Sequence, residues 1–173
     1  MNIRSILLGA VLACCVVEPA AAQGGQASRS PLAVTVENRT ARAEADRGQA
    51  RSDEHARPGD VLHYRLSFRN PGTASVRGVK LANPLAAGMR FVGGSATSSR
   101  SDARLEFSAD GGRTFSARPM EEVAGERRPV PAERYTHVRW TIDGSVAPGA
   151  TVTAEFDARV DAGSAPPPAP RGT

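Results

Sequence analysis

The chain has 173 residues, a formal net charge of +4 and two cysteines. A chain near 150 residues buries about 68–70% of its unfolded surface, so one domain with a sizeable core fits this length. Lys80 is the only lysine, the arginines are scattered among Asp and Glu, and no like-charge run or basic–aromatic stripe is present, which argues against a nucleic-acid partner.

The first residues read MNIRSILLGAVLACCVVEPAAAQGG. Arg4 supplies a positive n-region, Ile6–Val17 an apolar h-region, and Ala20-Ala21-Ala22 a small-residue cleavage site. This predicts a signal peptide over residues 1–22 and export to the periplasm, the outer surface or the medium. The apolar run is shorter than the roughly 20 residues a spanning helix needs, so no membrane-spanning segment is expected after cleavage. Val11-Leu12-Ala13-Cys14 loosely resembles a lipobox, which makes a lipoprotein the alternative. Cys14 and Cys15 both lie in the leader, so the processed chain has no disulfide, no Cys nucleophile and no thiolate metal site.

Residues 23–31 read as a flexible leader, and 32–162 as one domain. Within it the dominant signal is period two. Leu62, Tyr64, Leu66 and Phe68 alternate with His63, Arg65, Ser67 and Arg69. Val138, Trp140 and Ile142 alternate with His137, Arg139 and Thr141, and Val152, Ala154, Phe156, Ala158 and Val160 with Thr153, Glu155, Asp157 and Arg159. Each segment therefore has one dry and one wet side, as in an antiparallel sheet solvated on one face. Weaker strands are expected at Leu32–Glu37, Val76–Ala82, Met89–Gly93, Arg104–Ser108 and Arg113–Ser116. Ala41–Ala56 is polar and Ala/Arg/Glu-rich and suits a short helix or a second N-terminal strand. Pro58-Gly59-Asp60, Asn70-Pro71-Gly72, Asp110-Gly111-Gly112 and Pro148-Gly149 punctuate the strands. Regularly spaced short strands with such turns predict an all-β sandwich of about seven to nine strands. Its core should hold Tyr64, Leu66, Phe68, Leu81, Phe91, Phe107, Trp140 and Phe156. Residues 163–173, GSAPPPAPRGT, form a Pro-rich tail expected to be disordered.

Candidate chemistry is sparse. Ser108, Asp110, Gly112, Thr114 and Phe115 spell S-x-D-x-G-x-T-F, which resembles the Asp-box of sialidases and related propeller proteins. In those proteins the box is a structural turn remote from the catalytic site. One box in a short chain makes no propeller, so the stretch is expected to be a structural hairpin: Asp110-Gly111 is a type I′ turn signal, Asp110 can bond nearby backbone N–H groups and Gly111-Gly112 can supply the permissive backbone. His55, His63 and His137 show no metal-ligand spacing and are expected on solvated strand faces. Glu121-Glu122 and Glu155 with Asp157 are candidate acid/base pairs, but read as surface charge. There is no G-x-S-x-G elbow. Catalytic, cofactor-binding and metal-binding residues are all expected to be none. Two regions are candidate contact surfaces. Arg118–Tyr135 is a long, charged, Pro-bearing connection in which Arg127, Arg128 and Tyr135 are the first candidates. Arg65, Arg69, Arg139 and Thr141 are wet-side residues whose strands, if adjacent, form a platform for acidic glycans or lipid headgroups.

The segment from Pro58-Gly59-Asp60 through Tyr64–Phe68, Asn70, Gly72-Thr73, Asn83-Pro84-Leu85, Gly88, Phe91 and Gly94-Ser95-Ala96 resembles the conserved-repeat domain of bacterial surface proteins, catalogued as the eleventh domain of unknown function. Trp140, Ile142, Pro148-Gly149 and Val152–Phe156 fit its close. Asn83 stands where that pattern has Asp, and Ala86-Ala87 replace a Pro-containing pair. The resemblance implies an immunoglobulin-like sandwich in an exported protein. The expected role is a non-enzymatic secreted or envelope module for structure, adhesion or protein contact, its partner an envelope protein or a glycan. A carbohydrate- or calcium-binding module is the alternative. A small glycan hydrolase rests on the Asp-box-like stretch alone.

Overall fold

Chain alternation decides the architecture. In β2 (Val61–Arg69), Leu66 is fully buried while Arg65 and Arg69 are exposed. In β10 (Thr151–Val160), Val152, Ala154, Phe156 and Ala158 are all buried and the residues between them are not. The computed structural model describes residues 31–51 and 55–162. The expected signal peptide at 1–22, the expected leader up to residue 30 and the Pro-rich tail at 163–173 lie outside the described residues.

Two antiparallel sheets result. The larger has the order β1 (Leu32–Asn38), β2, β10, β4 (Met89–Phe91), with β5 (Thr97–Ser98) also on β10. β4 and β5 share one edge of β10, and Ser95 lies between them. Its hydroxyl donates to Val92 O at 2.7 Å and accepts from Asp157 N at 3.0 Å, so the edge strand steps along β10 without orphaning backbone groups. The smaller sheet has the order β3 (Val79–Pro84), β9 (His137–Ile142), β6 (Ala103–Ser108).

The sheets face each other across one core. Leu66, Phe91, Phe156 and the small residues of β10 come from one side, and Leu81, Val138, Trp140 and Ile142 from the other. Trp140 meets Phe156 with ring centroids 6.1 Å apart, and Tyr64 stacks on Phe156 at 4.8 Å. Burying each large side chain contributes about 1.5–3 kcal/mol, opposed by chain entropy. The expected all-β sandwich is present. Of the expected core, Leu66, Leu81, Phe91, Trp140 and Phe156 are buried, while Tyr64, Phe68 and Phe107 pack partly buried against them.

Of the two alternatives expected for Ala41–Ala56, the short helix is the one present: α1 (Arg39–Asp46) is capped by the Asn38 side chain, which accepts from Ala41 N at 2.9 Å. Three local expectations need correction. The strand expected from Val76 begins at Val79, and Val76 makes only an isolated bridge to Val146. Arg113–Ser116 is not a strand, since only Ser116 bridges back to Phe107. Arg118–Tyr135 is not structureless. It forms the hairpin β7 (Met120–Val123) and β8 (Glu126–Pro129), closed by Ala124 and Gly125, both at positive φ, and then a 3-10 turn at Ala132–Arg134.

Candidate functional site

The Asp-box-like stretch is a self-contained loop between β6 and the Ser116 bridge. Ser108 is buried and its hydroxyl donates to Asp110 Oδ1 at 2.7 Å while accepting from Gly112 N at 2.9 Å. Asp110 Oδ1 also accepts from the N–H of Arg113 and of Thr114, at 3.1 and 3.0 Å, and Oδ2 accepts the Thr114 hydroxyl at 2.6 Å. These bonds, led by those from Thr114, hold the carboxyl far below the usual aspartate range. The two positive-φ residues of the loop are Gly111 and Gly112, the pair expected to supply the permissive backbone. A Cβ on Gly112 would sit 3.1 Å from the His137 ring. The loop thus folds down onto the outer face of β9. Phe115 completes the cover: Arg139 Cζ lies 3.8 Å from its ring centroid, and His137 meets it edge-on. Further along β9, Thr141, expected on the wet side, is buried and donates to Glu106 Oε2 at 3.2 Å.

The β7–β8 hairpin buries little. Glu121 stands opposite Arg128 and Glu122 opposite Arg127 in the ladder, but the ion pairs formed are Arg128 with Glu126 and Arg134 with Glu121. All four β8 residues are exposed. Between this hairpin and the Asp110 loop runs a cleft of about 450 Å³. Phe107, Val130 and Met120 give it apolar surface, Ser116 and Thr114 give it hydroxyls, and Arg118, Arg127 and Arg134 line it with guanidiniums. Arg134 Nη1 donates to Glu121 Oε1 at 2.7 Å. Arg118 and Arg127 make no ion pair among the described residues. Tyr135 lies beneath the cleft, stacked on Phe107 at 4.5 Å. Burial pushes its hydroxyl above the ordinary value, with Arg118 pulling the other way.

The structure therefore separates the residues first picked from Arg118–Tyr135. Arg127 lines the cleft, Arg128 pairs with Glu126, and Tyr135 packs inward. Arg118 and Arg134, not singled out from the sequence, join Arg127. The arginine platform is also corrected. Arg65 and Arg69 belong to β2 of the larger sheet and Arg139 to β9 of the smaller one, on opposite layers. Arg65 pairs with Glu155 at 2.7 Å and Arg139 with Glu106 at 2.9 Å.

The outer face of the larger sheet carries the remaining charges. His63, half-buried rather than solvated, has Nδ1 2.7 Å from Asp157 Oδ1 and Nε2 3.5 Å from Glu155 Oε2. Arg39 at the start of α1 adds a 2.8 Å bond to Asp157. Nearby, Asp60 is buried and accepts from Arg51 Nη1 and Nη2 at 2.6 and 2.8 Å, from Asn38 Nδ2 at 2.7 Å and from Arg57 N at 2.9 Å. The Arg51 guanidinium, then the Arg57 amide and Asn38, hold its carboxyl well below the ordinary range against the opposing effect of burial. Asp60, read from sequence as turn punctuation, thus clamps α1 to the start of β2. Among the described residues no group of three or more His, Asp or Glu is placed to hold a metal ion, and no helix is long and apolar enough to cross a membrane. Neither any protein-family model nor any curated protein sequence matches this chain.

Proposed function

We propose that this chain is an exported, non-enzymatic β-sandwich module that works by contact, with the cleft between the Asp110 loop and the β7–β8 hairpin as its contact surface. One observation carries the reading. Two guanidiniums that make no ion pair among the described residues, Arg118 and Arg127, line the same cleft, whereas the two carboxylates that line it already have partners. Asp110 is saturated by its own loop, and Glu121 holds Arg134. A hydrolase reading needs a carboxyl free to transfer a proton, and the Asp110 arrangement instead supports a structural role. The resemblance of Pro58–Val160 to the conserved-repeat domain of surface proteins and the leader at 1–22 support export.

Expression of the full chain in a bacterial host, followed by intact-mass analysis of the exported fraction, tests the location. The expected product begins at Gln23. A protein that stays cytoplasmic at full mass overturns export. Incubation of the purified protein with glycans is expected to release no reducing ends. Release that vanishes in a folded Asp110→Asn variant overturns the non-enzymatic reading.

A further inference from the structure

The cleft's lining points to a class of ligand. Arg118 precedes β7 and Arg127 lies in β8, and neither makes an ion pair among the described residues, Arg127 standing opposite Glu122 in the ladder without bonding it. Like charges around one concavity reinforce each other's potential and draw in an anion. Guanidinium groups recognise a carboxylate by paired, charge-assisted hydrogen bonds. The cleft is not uniformly basic, however. Glu121 binds Arg134 through Oε1, and no other hydrogen bond to it is made by the described residues. The Ser116 hydroxyl likewise makes none, because only its backbone is engaged, with Phe107. An acidic peptide brings further carboxylates against Glu121 and Asp110. A sugar acid brings one carboxylate among many hydroxyls. Its hydroxyls have acceptors in Glu121 and Ser116, and its C–H surface has Met120, which is 42% exposed, above the buried Val130. The cleft volume of about 450 Å³ falls within the range of roughly 300–1,000 Å³ typical of small-ligand sites.

We propose that the cleft binds a carboxylated sugar unit of a glycan, with Arg118 and Arg127 on the carboxylate and Glu121 and Ser116 on its hydroxyls. This rests on the reading of the chain as a contact module. The test is calorimetric titration of the processed protein with oligosaccharides bearing galacturonate, glucuronate or N-acetylneuraminate, with their methyl esters, and with poly-L-glutamate. At least one sugar acid is expected to bind. Its affinity should fall at least about tenfold on esterification and by a similar factor in the double variant Arg118→Gln, Arg127→Gln, the loss that follows removal of a charge-assisted pair. The variant's thermal midpoint should match that of the parent. Three outcomes overturn the proposal: no binding by any of the sugar acids, equal binding of acid and ester, or undiminished binding by the double variant. Binding of poly-L-glutamate as tight as that of the best sugar acid overturns the sugar class but leaves the contact-module reading standing. Release of reducing ends during the titration overturns the contact-module reading itself.

Discussion

The face where α1 docks on the larger sheet and the cleft between the two hairpins are both rich in charge, and they use it differently. On the first, Arg39, Arg51, Asp60, His63, Arg65, Glu155 and Asp157 all meet a partner within the chain. In the second, Arg118 and Arg127 do not. Density of charge therefore marks no binding surface here. Arginines without an ion pair also occur singly among the described residues, at Arg69 and Arg77 for example, so the informative feature is two of them lining one concavity, since exposed pairs are worth little and buried ones serve the fold.

That contrast can be broken by substitution. The largest effect is expected at the docked face. Asp60→Ala leaves Arg51 with Glu44 as its remaining partner and takes the acceptor from Asn38 Nδ2 and Arg57 N; it should cost about 3 kcal/mol in urea unfolding, since each buried donor left unsatisfied costs roughly 1–3 kcal/mol. A loss below about 1 kcal/mol would put Asp60 in the same class as an exposed pair. Acid provides the next test. The Asp60 carboxyl titrates below its ordinary 3.8 in the folded state, so its stabilising contribution is present above that value. It is lost as pH falls towards the lower folded value. The difference in melting midpoint between the parent and Asp60→Asn should therefore be constant near neutrality and shrink in acid; a gap that widens on acidification reverses the assigned sign. A smaller effect is expected in the wall of the cleft. Gly112→Ala combines a φ of +84° with a Cβ 3.1 Å from the His137 ring and should lose about 1–2 kcal/mol, measured by thermal melting. The smallest belongs to the cleft arginines. Arg118→Gln and Arg127→Gln, tested singly, should leave stability within about 0.5 kcal/mol of the parent. A larger loss shows that they serve the fold after all.

The strongly alternating strands β2, β9 and β10 were legible because each turns an apolar side chain towards the core at every second position, and burial leaves a pattern in the sequence. Pairing was not legible. Arg65 and Arg139 occupy equivalent wet positions of similar strands, and only the order β1–β2–β10 against β3–β9–β6 puts them on opposite layers. The β7–β8 hairpin escaped because it buries almost nothing. Its signal is a mirrored charge pattern, Glu121-Glu122 before and Arg127-Arg128 after the Ala124-Gly125 turn, and a search for apolar alternation passes over that. His137 departs from its expected place for a tertiary reason, since the Phe115 loop covers a face that strand periodicity assigns to water. Of the three cleft arginines one was within reach of the sequence, Arg127, while Arg118 and Arg134 became visible only when the hairpin closed against the Asp110 loop.

The ladder registers carry a mechanical consequence. Leu32, where β1 begins, pairs with Phe68, beside Thr151 at the start of β10, whereas Val160 at the end of β10 lies with Met89 at the far end of the same sheet. Tension applied through the two ends of the domain therefore runs lengthwise along strands flanking β2 on either side. Yielding requires those strands to slide past β2 with many hydrogen bonds giving way together, so the domain is built to resist stretch in shear rather than to peel open rung by rung.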